Sequence, residues 1–181
     1  MNIIKGPSEV TKMIKSCITA EMNQEGLLSE VETFIPSYRM DEHMEEPCIW
    51  LFEHETTVAD GKSGRLSRKL LLQTIFEFVC VVYDEEDIEQ SELKGKELAC
   101  RVAASIAKNL KRKNTEGKVI LENLKFQTLY PVGTVTIEGK SDKAPATSVR
   151  IIIEYYVDWA ICCMKKKKKK YIFFELSKNG D

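Results

Sequence analysis

Apolar residues recur at helical spacing near the start of the chain. In SEVTKMIKSCITAEMN, residues 8–23, Val10, Met13, Ile14, Cys17, Ile18 and Met22 form one stripe, the signature of an amphipathic helix. Pro7 and Ser8 supply a start, and Gly26 lies just beyond the end. A charged segment follows through YRMDEHMEEP, and VETFIP within it reads as a short extended piece. The period then changes. CIWLFEHETTV, residues 48–58, is rich in strand formers, with Pro47 at its entry. LLLQTIFEFVCVVY, residues 70–83, is apolar on both faces, which predicts a central strand. The glycine-containing ADGKSGR between them predicts an antiparallel hairpin.

A second helix is predicted within residues 84–113. Leu98, Val102, Ile106 and Leu110 recur at i+4, with Ala99, Ala103 and Ala107 beside them. Asp84, Glu85, Glu86 and Asp87 crowd its start, and Lys108, Lys111, Arg112 and Lys113 its end. Both placements suit the helix dipole. VILENLKFQTLY, residues 119–130, reads as a third strand interrupted at Pro131 and Gly133. Residues 138–148, EGKSDKAPATS, read as an exposed loop. In VRIIIEYYVDWAI, residues 149–161, Val149, Ile151, Ile153, Tyr155, Val157 and Trp159 share one face of a fourth strand. The order predicts an α+β fold, two main helices on a mostly antiparallel sheet of four to five strands. Residues 1–163 form the expected domain. Residues 164–181 are a basic and aromatic extension in which YIFFEL is a further short strand or docking segment.

Charge sharpens that division. The net charge of −1 hides seven lysines against Glu175 and Asp181 in the extension, leaving the preceding 163 residues at −6. An acidic body is a poor general DNA binder, because duplex affinity rests on neutralising phosphates. The lysine run Lys165, Lys166, Lys167, Lys168, Lys169 and Lys170 repels itself and belongs on an exposed edge or turn. It remains a candidate contact for DNA or an acidic neighbour. Cys17, Cys48, Cys80, Cys100, Cys162 and Cys163 contain no C-x-x-C pair and mostly fall in apolar patterns, as expected of reduced core residues. The first ten residues lack the apolar run of a signal peptide, and no uncharged run approaches the roughly 18 residues of a membrane span. These features predict assembly in the cytoplasm and no membrane partner.

Candidate chemistry is sparse. His43, Cys48 and His54 match no zinc spacing well, and surface histidines are the simpler reading. The acidic run at 84–87 is explained by a helix start before it is explained by a cation. No phosphate-binding glycine loop or nucleophile elbow occurs. No catalytic residue, metal or cofactor is assigned, and an enzyme is not expected.

VVYDEEDIEQSELKGKELACRVAASIAKN, residues 81–109, is a strand ending in an aromatic residue and Asp, then acidic residues leading into an alanine-rich helix. With PCIWLFEHETTVADGKSGRLSRKLLLQTIFEFVCVVYD before it, and VILENLKFQTLYPVG and TSVRIIIEYYVDWA after it, the chain resembles the tail terminator, or tail-completion, proteins of tailed phages. The resemblance runs over residues 8–159 and rests on the order of elements. It implies a structural protein of a phage or prophage, a ring, usually a hexamer, that caps the tail tube and joins it to the head connector. DNA would pass through the channel, and the protein would go from host cytoplasm to virion tail. Asp60, Lys62, Arg65 and Arg68 on the 59–68 loop are the candidate subunit contacts. A related head–tail connector or neck protein, a nucleic-acid-binding module using the C-terminal lysines, and a small enzyme with an unrecognised site are the other readings.

Overall fold

A computed structural model describes residues 4, 6–36, 45–59, 69–84, 87–110, 121–127, 130–136 and 143–158. Helix α1, Pro7–Glu21, starts with proline in its first turn, where no intrahelical donor is lost. Its buried stripe includes Val10, Ile14, Cys17 and Ile18, as the spacing predicts. Strand β1, Thr33–Ile35, pairs in parallel with β2, Cys48–Val58. Strand β2 pairs antiparallel with β3, Lys69–Val81, forming the predicted hairpin up to Val58↔Leu72. Helix α2, Ile88–Asn109, then leads to β4, Leu121–Phe126, β5, Tyr130–Thr136, and β6, Lys143–Asp158.

The described residues form an α+β fold with six strands, more than the four to five expected. The sheet runs β1-β2-β3-β6-β4, and β5 also pairs with β6. Among the described strands, β1 and β2 pair in parallel and the other strand pairs are antiparallel; Ile4 adds an isolated parallel bridge to Val157. The two-sided apolar run of β3 earns its central place between β2 and β6.

Two sequence expectations are corrected. The predicted exposed loop at 138–148 contains the first part of β6, residues 143–148. Pro145 obscures this in the sequence, yet it lies beyond the last β3 partner, Val81↔Ala146, so its missing N–H interrupts no bond to β3. The predicted third strand is two strands, and Pro131 and Gly133 lie inside β5 rather than ending it. Strand β5 tolerates both as an edge. A register shift separates Pro131 from Gly133, and Gly133 has φ 110°, the backbone geometry of a bulge that only glycine adopts freely.

Both helices cover one face of the sheet. Val10, Ile14 and Ile18 of α1 and Leu98, Val102 and Ile106 of α2 pack with Phe76, Phe78, Val149, Ile151, Ile153 and Tyr155. Alternation therefore turns Ser148 and Arg150, and the intervening Glu77 and Val79, to the opposite face. A smaller apolar cluster of Ile35, Cys48, Trp50, Val79, Val81, Ala144 and Ala146 lies there. No helix among the described residues is long and apolar enough to cross a membrane.

Candidate functional site: a buried carboxylate shared by four strands

Glu77 is the one charged residue in the stretch LLLQTIFEFVCVVY. The sheet places it opposite Phe52 of β2 and Arg150 of β6. It is only 7% exposed. A carboxylate so placed costs several kcal/mol of lost hydration unless donors surround it.

Four donors do. Ser148 Oγ donates to Glu77 Oε1 at 2.6 Å, and the Tyr130 hydroxyl donates to the same oxygen. His54 Nε2 stands 2.6 Å and Arg150 Nε 3.1 Å from Oε2. The facing carboxylate is an acceptor, so the imidazole proton sits on Nε2. Each partner comes from a local feature. Ser148 pairs with Val79 across the β3–β6 ladder, which puts its hydroxyl next to Glu77. Tyr130 opens β5 opposite Ser148. His54 lies within the β2 irregularity between Glu53 and Thr56, and reaches Glu77 diagonally. The Arg150 guanidinium carbon lies 5.3 Å from the centre of the Tyr130 ring, within cation–π range.

The electrostatics follow from these contacts. Burial pushes the Glu77 carboxyl upward, but the hydrogen bonds from Ser148, Tyr130, His54 and Arg150 outweigh it and hold it at about 2. Burial and the bond to Glu77 raise the Tyr130 phenol. A carboxylate has about four lone-pair sites, and all four are taken. A group this acidic is poorly matched to general-base or general-acid work near neutrality. The arrangement can clamp β2, β3, β5 and β6 together; it is badly suited to moving a proton.

A second buried carboxylate does the same for the helices. Glu21, at the end of α1, accepts the Leu27 backbone N–H at 3.0 Å, Asn109 Nδ2 at 2.6 Å and Lys108 Nζ at 2.9 Å. The bonds from Asn109, Leu27 and Lys108 lower its carboxyl to about 2. Beneath the helices, Thr74 Oγ1 links Thr56 Oγ1 at 2.8 Å to the buried Tyr155 hydroxyl at 2.9 Å.

Asp60, Lys62, Arg65 and Arg68, and the six lysines Lys165, Lys166, Lys167, Lys168, Lys169 and Lys170, lie outside the described residues, as do His43, Cys162, Cys163 and the YIFFEL segment. Of the acidic run, Asp87 caps α2, accepting the Glu89 and Gln90 backbone N–H groups at 2.9 and 3.1 Å. Asp84 meets Lys94 Nζ at 2.8 Å. Cys48 is buried in the apolar cluster opposite the helices rather than beside His54. Among the described residues, no group of three His, Cys, Asp or Glu side chains is arranged to hold a metal ion. Cys17, Cys48 and Cys80 are buried, as expected, whereas Cys100 is exposed on α2. Burial raises the first two thiols to about 11 and about 12 and Cys80 further still.

The Glu77 cluster is absent from the sequence reading. Its partners are spread over 97 positions from His54 to Arg150, so only the sheet register joins them. The available signal was Glu77 itself, a lone carboxylate in a strand with no polar face. Comparison with protein-family models gives no match, and comparison with curated proteins gives none either.

Proposed function

We propose that the chain is a structural assembly subunit, of the kind implied by its resemblance to phage tail terminators: a ring-forming protein that caps a tail tube. A head–tail connector or neck protein is the nearest alternative within the same class. The observation that carries the reading is the saturated Glu77 cluster. The most enzyme-like group of side chains described has every acceptor position filled, and so serves rigidity rather than turnover. Support also comes from the order of elements, a first helix, a strand hairpin, a long helix and a closing run of strands, which agrees with the resemblance.

Negative-stain electron microscopy of the purified full chain tests the proposal. Closed rings of uniform diameter with a central channel are expected. Single particles at every concentration, together with salt-steep DNA binding, would favour the nucleic-acid module instead.

A further inference from the structure

The polar atoms of Arg150 and His54 that face away from Glu77 have no partner among the described residues. Arg150 spends Nε on Glu77, and its guanidinium lies against the Tyr130 ring. Its two terminal NH₂ groups remain, on a side chain 42% exposed. His54 spends Nε2 on the same carboxylate oxygen, leaving Nδ1 on a side chain 39% exposed. A long arginine normally loses several rotatable bonds' worth of entropy when it binds an anion. Here a buried carboxylate and an aromatic ring have already fixed it.

We propose that Arg150, flanked by His54, is a receptor for a single carboxylate, supplied by an acidic side chain of a second copy of this chain. The planar NH₂ pair matches the two oxygens of a carboxylate. Glu77 and Tyr130 act as positioning residues. The fork rather than net charge selects a single carboxylate: Glu77 already offsets the Arg150 charge, and Glu154, 3.5 Å from Lys125 Nζ, lies nearby on β6. A nucleic-acid backbone needs a band of cations, which this face lacks among the described residues. A second copy brings suitable acids: Glu55, Glu89, Glu97 and Glu122 are exposed. The choice of a second copy as the source rests on the assembly reading above, whereas the carboxylate chemistry does not.

The test uses the full chain and sodium acetate as the probe, with sodium chloride at equal ionic strength as control. The side-chain NMR signals of Arg150 and His54 should shift saturably with acetate and not with chloride. Arg150→Gln should weaken the response roughly tenfold or more, and Arg150→Lys, which keeps the charge without the fork, should weaken it less. Light scattering should show Arg150→Gln forming smaller assemblies than the parent. Equal responses to acetate and chloride would overturn the site. An acetate-specific response with unchanged assembly in Arg150→Gln would overturn the second copy as the source. A chain that never assembles yet responds to acetate would refute the assembly reading, and the neighbour with it, while the carboxylate receptor stands.

Discussion

Replacing Glu77 by glutamine keeps the shape of the side chain and removes its charge. Arg150 and His54 approach Oε2 as donors, so the amide must turn its carbonyl toward them. Its NH₂ then faces the hydroxyls of Ser148 and Tyr130, which can rotate to accept. What is lost is the ionic part of the bonds to Arg150 and His54. Charge-assisted bonds contribute about 1.5–3 kcal/mol against about 0.5–1.5 for neutral ones. The acidity gives an independent bound. A carboxyl moved from 4.5 to about 2 corresponds to about 3 kcal/mol at 1.36 kcal/mol per unit, an upper value because solvent screens the half-exposed partners. We expect Glu77→Gln to cost about 2 kcal/mol at pH 7. The folded-state acidity lies below the unfolded value, so this stability is present above pH 4.5 and fades as pH falls toward 2. Urea unfolding followed by tryptophan fluorescence, run on parent and variant at several pH values, measures both features. The two proteins should differ at pH 7 and converge in acid. A difference under about 0.5 kcal/mol at pH 7, smaller than a single neutral hydrogen bond, would refute the reasoning, as would a gap that stays constant down to pH 3.

Further predictions rest on separate features. Gly26→Ala places a methyl carbon 2.0 Å from the Glu21 backbone oxygen, so the α1 exit must move; a loss of about 2 kcal/mol or more in the same unfolding assay is expected. Asp87→Ala removes the α2 cap and should cost about 1 kcal/mol, with helix content by circular dichroism nearly unchanged. Peptide mapping after brief alkylation of the native protein should find Cys100 modified and Cys17, Cys48 and Cys80 protected until unfolding.

Local pattern carried much of the architecture. The α1 stripe, the β2–β3 hairpin and the long α2 helix each repeat a short-range period, and each stands where the sequence places it. Strand β5 and the first part of β6 were hidden because Pro131, Gly133 and Pro145 signal breaks in any local reading. They are tolerated here because β5 is an edge and β3 has ended before Pro145. The Glu77 cluster was illegible for a different reason. Ser148, Arg150, Tyr130 and His54 carry no shared motif, and only the pairing register brings them to one carboxylate. Cys100 shows the limit of composition: a cysteine in an apolar helix pattern was expected in the core, yet it falls on the face turned away from the sheet.

The central claim, that the chain is an assembly subunit, is tested most directly by its mass in solution. Light scattering across a wide concentration range should give one discrete multiple of the 20.7 kDa chain, most simply a hexamer if the phage-tail resemblance holds. A mass of 20.7 kDa at every concentration would contradict the account.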